Sequence, residues 1–393
     1  MIERNIAETL RRLAADYPVV TVTGPRQSGK TTLCRESFPG KPWVSLEPLD
    51  TRRRAQSDPR GLLRDYEAGA IFDEVQHVPE LLSYLQGVVD EDLRPGRFIL
   101  TGSQHFGLSE AVSQSLAGRT GVLHLLPPAY DELQRFPDGP ATLLETLWTG
   151  AYPAIFDRGI AAERWLADYV TTYVQRDVRQ IQNITDLTAF ATFVRLVAGR
   201  SAQVLNLSTL GADAGISHNT ARAWLSVLEA SFIAHRLPAW HRNINKRLTR
   251  APKVHFYDTG LMCHLLGIRD PDQLRLHPLR GAVFETWVVA EVLKARLNAG
   301  QAANASYFRD HKGLEVDLVI ERGDATLLVE AKSGATIGGD FLDPLAKVAE
   351  LVSKAESWLP TEQRLIYGGD ASQQRSTASV LGWRDIAGAS WVA

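Results

Sequence analysis

The most specific chemistry in the chain is written in one short run, Gly24-Pro25-Arg26-Gln27-Ser28-Gly29-Lys30-Thr31. Its spacing is G-x-x-x-x-G-K-[ST], and each residue type has a physical reason. The glycines let successive backbone N–H groups turn inward around phosphate oxygens. A helix starting at Lys30 points its positive end at the same anion. Lys30 reaches the β and γ phosphates, and Thr31 offers a hydroxyl to Mg²⁺. Gly24, Ser28, Gly29, Lys30, Thr31 and Thr32 are therefore the expected nucleotide contacts, with ATP and Mg²⁺ as the expected ligands.

Binding alone needs no further acids, whereas hydrolysis does. "GAIFDEV" ends in Asp73 and Glu74. Asp73 suits Mg²⁺ held through water, and Glu74 suits the orientation or deprotonation of the attacking water. "RFILTGS" ends in Thr101 and Ser103, polar groups suited to sensing a γ-phosphate. Arg119 follows a glycine at the end of an expected helix over 108–118. It suits an arginine finger for a neighbouring subunit, or else an ordinary ion pair within its own chain.

A second candidate site lies late in the chain. "EVDLVIERGDATLLVEAK" reads as two strands around a turn. With Gly323 and Asp324 as the central pair of a type II′ turn, Asp317 lies opposite Glu330 and Glu315 opposite Lys332. All four then share one face. Opposed Cβ atoms sit about 4.5–5.5 Å apart. Two carboxylates that close repel each other unless a cation bridges them. Asp317 and Glu330 are therefore expected to hold a metal, with Lys332 orienting water or stabilising phosphate charge. Glu285 lies in the amphipathic stretch "GAVFETWVVAEVLKARL", at helical spacing with Val288, Val289 and Val292, and is expected to converge on them. The plainer reading is a Glu315–Lys332 ion pair on a solvated face.

Between the two sites, "NLSTLGADAGISHNTARAWLSVLEASF" has the layout of a helix-turn-helix. The first helix ends near Gly215, and Ser217 and Asn219 can cap the second. Trp224, Leu225 and Leu228 are core positions, while His218, Asn219 and Arg222 are candidate DNA contacts. No acid occurs from 230 to 257. Arg242, Lys246, Arg247, Arg250 and Lys253 are expected there as phosphate contacts of a basic wing with its tip at 243–245. Packing within the chain, or service as an ATPase lid, is the alternative use of such a module.

The elements that must position these residues follow from pattern. Short apolar runs at 19–23, 43–46, 70–75, 97–103 and 121–126 alternate with helical segments, which implies a parallel α/β sheet. Ligands sit at the carboxyl ends of such strands. The stretch 151–199 is helical, with Trp165, Leu166, Tyr169, Val170 and Tyr173 on an apolar face. At 393 residues, two or three domains are expected. Proline, glycine and charge mark seams at 125–140 and 267–281. The expected division is 1–135, 136–199, 200–266 and 267–393. A net charge of −2 excludes a polycation. Two distant cysteines indicate neither a zinc knuckle nor a disulfide framework. The charged amphipathic N-terminus is not a secretory signal, and no apolar run approaches the roughly 20 residues of a membrane span. A cytoplasmic location with no membrane partner is expected.

Taken together, "GPRQSGKTT", "FDEVQ", "LTGSQ", "LAGR", "KVHFYDTGL", "GAVFETWVVAEVL", "EVDLVIE" and "VEAKSG" resemble a prokaryotic family of AAA+ ATPases with a C-terminal domain of unknown function. The resemblance spans nearly the whole chain. It implies an AAA+ P-loop sheet, a winged helix and a PD-(D/E)xK-like α/β module, with Val316-Asp317 in place of the proline-aspartate. It also implies ring oligomers with sites at subunit interfaces, which favours Arg119 acting in trans. The leading expectation is a Mg²⁺-dependent ATPase that binds DNA, branched or damaged DNA included, and remodels it. A nucleotide-dependent signalling or toxin–antitoxin-like regulator and an ATP-regulated DNA nuclease are the rivals.

Overall fold

The structure is a computed structural model, described for residues 2–103, 114–177, 184, 186–241, 250–355 and 360–392. The chain divides into two compact units. The first comprises Met1–Pro127, Ala230–Phe232 and Leu297–Gly300, and the second comprises Pro128–Glu229, Ile233–Arg296 and Gln301–Ala393. The division after Pro127 falls inside the expected 125–140 seam. The segments expected separately over 136–199, 200–266 and 267–393 lie in the second unit apart from short pieces.

In the first unit, the five apolar runs form β1 (Val19–Gly24), β2 (Trp43–Ser45), β3 (Ala70–Asp73), β4 (Phe98–Ser103) and β5 (Thr120–His124). Their order is β2-β3-β4-β1-β5, with every neighbouring pair parallel. The central strands β1, β3 and β4 read as continuous apolar runs because they are buried on both faces, whereas the edge strands β2 and β5 alternate and expose Trp43 and Val122. Val19, Phe72, Phe98 and Leu100 pack on one side against Leu81, Leu82, Leu85 and Val89. Val20, Val22, Ile71 and Ile99 pack on the other against Leu10, Leu33 and Cys34. The helices that supply these side chains are α1 (Ala7–Asp16), α2 (Lys30–Ser37) and α3 (Leu81–Glu91). β3 stops at Asp73 rather than 75 because Glu74 takes φ 59°, outside the extended region.

The second unit opens with helices. α4 (Ala162–Tyr169) runs into wide π-type turns over Val170–Asp177, which apolar periodicity reads as ordinary helix. Trp165, Leu166, Tyr169, Val170 and Tyr173 are all buried. Then come α5 (Leu187–Gly199), β6 (Gln203–Val204), α6 (Leu207–Asp213), α7 (His218–Ala230), β7 (Ala234–Leu237) and β8 (Lys253–Phe256). The strands pair antiparallel in the order β6-β8-β7. Ser217 Oγ accepts from Thr220 N at 3.1 Å and caps α7, whereas Asn219 lies within the helix rather than at its cap. Trp224, Leu225 and Leu228 are buried.

α8 (Arg280–Asn298) leads to a six-stranded sheet of order β13-β14-β12-β11-β10-β9, with α9 (Asp343–Ala355) following β11. Its strands are β9 (Ala305–Arg309), β10 (Glu315–Glu321), β11 (Thr326–Lys332), β12 (Thr361–Tyr367), β13 (Gln373–Gln374) and β14 (Ser379–Gly382). The β10–β11 register pairs Leu318 with Val329 and Glu321 with Thr326. The ladder ends at Leu318–Val329, and β10 shifts register against β9 between Val316 and Val319; Asp317 stays near β11, its Oδ2 accepting from Ala331 N at 2.9 Å. Gly323 does not take the positive φ of a type II′ turn, so the turn type differs. Among the described residues, no helix is long and apolar enough to cross a membrane.

Candidate functional site

The loop after β1 is built for close backbone approach. Gly24 has φ 154°, and a Cβ there would lie 2.1 Å from Leu125 O. Gln27 and Gly29 also take positive φ, at 65° and 94°. Ser28 is buried and its Oγ donates to Pro25 O at 3.0 Å. Lys30 heads α2, and its Nζ donates to Gly24 O at 3.1 Å and Pro25 O at 2.8 Å. Burial pushes its pKa down to about 8, although Glu74 and Asp73 oppose the shift. Thr32 is exposed in the first turn of α2.

Arg4 was not foreseen as part of this loop. It is buried, and it donates from Nη1 to Ser28 O and from Nη2 to Leu126 O, each at 2.9 Å. No local motif announces it, because both partners are far away in sequence.

Adjacent strand ends bring the polar groups together. Thr31 Oγ1 donates to Asp73 Oδ1 at 2.8 Å, and Thr101 Oγ1 donates to the same oxygen. Glu74 N donates to Thr101 Oγ1 at 3.4 Å, while Gln76 Nε2 donates to Glu74 Oε2. Ser103 Oγ, at the end of β4, is buried and has no hydrogen-bond partner among the described residues. A hydroxyl and a carboxylate oxygen side by side, next to a buried lysine, form a hard-oxygen set that fits Mg²⁺.

Arg119 stands elsewhere. Its carbonyl accepts from Val19 N at the start of β1, so it lies at the opposite end of the sheet from the loop that follows Gly24. Its guanidinium forks Asp90 of α3, with Nη2 3.0 Å from Oδ2. The expected helix over 108–118 lies largely outside the described residues.

The candidate DNA residues separate. Asn219 and Arg222 are exposed on α7, and His218 is partly exposed at its start. Arg250 is exposed, with Nη1 donating to Arg309 O at 3.1 Å. Arg242, Lys246 and Arg247, with the expected tip at 243–245, lie outside the described residues. Lys253 corrects its assignment as a phosphate contact: it is buried and ion-paired to acids of its own chain. The acid-free stretch around it marks a basic strand, but not one that faces solvent throughout.

The late carboxylates do gather. Lys253 Nζ lies 2.7 Å from Glu285 Oε1, 2.5 Å from Glu315 Oε1 and 3.6 Å from Asp317 Oδ1. Asp317 Oδ2 accepts from Ala331 N at 2.9 Å, and Lys332 Nζ pairs with Glu330 Oε1 at 2.5 Å. Burial, followed by repulsion from Asp317, pushes Glu330 up to about 8 and Glu285 well above the carboxylate range. Among the described residues, no group of three or more His, Cys, Asp or Glu is arranged to hold a metal ion. Lys253 beside Asp317 and Lys332 on Glu330 put ammonium groups where the expected metal would sit, so these residues as arranged do not fit it.

The sheet order, the glycine-lysine loop and the Asp73–Glu74 pair at a neighbouring strand end define the class: a P-loop ATPase of the AAA kind, with a helical middle and a C-terminal sheet region. An AAA domain matches residues 16–134. A domain of unknown function (DUF8612) matches 141–272, and another (DUF4143) matches 280–386. Two uncharacterized proteins, from Mycobacterium tuberculosis and Mycobacterium bovis, are each 32% identical over 340 residues, spanning 85% of this chain and 74% of theirs. The chain belongs to their family. A Walker-type ATPase of Pyrococcus abyssi overlaps 67% of this chain and 96% of its own, at 16% identity and a TM-score of 0.47.

Proposed function

We propose that this ATPase hydrolyses ATP with Mg²⁺ at the P-loop and couples turnover to DNA remodelling as a ring of identical subunits. The observation that carries the catalytic part is the convergence of Thr31 and Thr101 on Asp73 Oδ1 beside Lys30. Thr31 and Asp73 would hold Mg²⁺, which when bound neutralises charge on the β and γ phosphates. Lys30 exchanges two carbonyls for phosphate oxygens, which return a full counter-charge to a buried ammonium. Backbone N–H groups around Ser28 and Gly29 cradle the anion. Glu74 accepts a proton from the attacking water, and Thr101 and Ser103 orient groups around it. Arg119, remote from its own P-loop, serves the neighbouring subunit's site after leaving Asp90.

DNA as partner is supported by the helix-turn-helix of α6 and α7 and the strand pair of β7 and β8, together a winged-helix layout, with Asn219, Arg222 and Arg250 exposed. The test is ATP turnover with and without duplex and branched DNA, for the wild type and Glu74→Gln. The variant should retain ATP binding and lose about 10²–10⁴ in rate. DNA should stimulate the wild type. A wild-type rate in Glu74→Gln removes Glu74 from catalysis. Turnover indifferent to every DNA, with no DNA bound, removes the remodelling role and leaves the ATPase.

A further inference from the structure

The carboxylate cluster of the second unit is assembled from three elements around one side chain. β8 supplies Lys253, α8 supplies Glu285, and β10 supplies Glu315 and Asp317. Lys253 is 1% exposed, and its Nζ lies 5.5 Å from the centroid of the Tyr307 ring. Arg309 Nη1 lies 3.5 Å from Glu315 Oε2, and Lys332 covers Glu330. Four acids thus face three cations of the same chain. Divalent ions of the Mg²⁺ type need several oxygens turned toward one point and tolerate no ammonium there. Here the oxygens of Glu285, Glu315 and Asp317 turn toward Nζ instead. Glu330 Oε2 is buried with no hydrogen-bond partner among the described residues, and burial raises the pKa of its carboxyl.

We propose that Lys253 is the resident cation of this cluster, fixed in the seat a divalent ion would otherwise take, so that the second unit binds no Mg²⁺ or Mn²⁺ at these acids and performs no metal-dependent cleavage there. The same ion pairs fasten the loop-proximal end of the β7–β8 strand pair, where Lys253 pairs with Leu237, to α8 and β10. The cluster then acts as an ionic clasp between the β7–β8 strand pair and the C-terminal sheet. This assignment stands whether or not the hairpin meets DNA, because Lys253 is committed to the acids in either case.

The experiment counts Mn²⁺ bound to the full chain without nucleotide, from the electron paramagnetic resonance of the free ion. The wild type and Asp317→Asn should bind equal numbers. Lys253→Met should gain about one Mn²⁺ per chain, because the vacated acids then converge on an empty seat. The gain should vanish in Lys253→Met/Asp317→Asn. An Asp317-dependent Mn²⁺ in the wild type overturns the proposal, and so does a folded Lys253→Met that gains none. Removing a buried cation from among acids threatens the fold itself. Lys253→Met/Glu285→Gln is therefore measured alongside, since it removes one acid together with the cation and keeps Asp317, Glu315 and Glu330. Mn²⁺ should raise the melting temperature of this double variant and leave the wild type unmoved. A folded double variant indifferent to Mn²⁺ overturns the proposal on its own.

Discussion

Lys30 and Lys253 are both buried, at 5% and 1% exposed, yet burial has opposite outcomes for their protons. At Lys30 the direct partners are two backbone carbonyls, neutral dipoles that do not offset desolvation. Burial dominates, and the pKa falls to about 8. At Lys253 burial also pulls down, but Glu285, Asp317 and Glu315 outweigh it, and the proton is held above the ordinary lysine value. The first region meets its ammonium with carbonyl dipoles, with Asp73 and Glu74 acting from further off, and suits an anionic ligand. The second carries its own anions and is closed to a further cation. A lysine near acids or phosphates is thus read by whether its counter-charge is already in the fold.

The largest effect that tests this contrast is on stability. Lys253→Met leaves Glu285, Glu315 and Asp317 without their shared cation, and should cost about 3–5 kcal/mol in urea unfolding. Lys30→Met removes a charge that burial disfavours and frees two carbonyls, so its stability should stay within about 1 kcal/mol of the wild type. ATP binding should show the reverse order: nearly abolished in Lys30→Met and kept in any folded Lys253 variant. Equal stability losses in the two variants would erase the distinction.

The difference between the regions also explains what the sequence revealed. The nucleotide loop was legible because its chemistry sits in eight consecutive positions, and the β3 and β4 ends follow from apolar runs that stop at polar residues. The pairing of β10 with β11 was legible because a short turn fixes the sum of paired residue numbers, as in Leu318 with Val329 and Glu321 with Thr326. Lys253 was misread because its partners are distant, Glu285 being 32 residues away, and a local run without acids looks like a solvated basic face. Arg4 was missed for the same reason, its loop partner Ser28 lying 24 residues on. The π-type turns at Val170–Asp177 were invisible because a widened turn leaves the apolar spacing of Tyr169, Val170 and Tyr173 almost unchanged.

Arg4 sharpens the comparison on the nucleotide side. Two of its bonds hold Ser28 O and Leu126 O and brace the loop. Arg4→Met should cost about 1–3 kcal/mol, because both carbonyls lose a buried donor. ATP affinity should fall, but by less than in Lys30→Met, since the phosphate-facing cation remains. Calorimetric titration with ATP and urea melts of the same variant separate the two effects. A loss of stability with unchanged affinity would make Arg4 part of the fold alone.

The finest test is pH. Without nucleotide, Lys30 gives up its proton near pH 8, whereas an unfolded lysine keeps it to about 10.5. From this group alone, stability therefore rises between those two values, because only the unfolded chain still holds the proton. Phosphate needs the ammonium form, so ATP binding above pH 8 must take up a proton. Affinity should weaken by about tenfold per pH unit there, equivalent to about 1.4 kcal/mol per unit. Asp73 and Glu74 favour the ammonium and Arg26 disfavours it, so Arg26→Ala should move the onset to higher pH. Lys253 imposes no such dependence over this range, because its acids keep it charged throughout. Calorimetry from pH 7 to pH 9.5 in two buffers of different ionisation enthalpy measures the proton uptake directly. A flat affinity with no proton uptake would mean that Lys30 is charged before ATP arrives, and the two lysines would no longer differ in the way their partners imply.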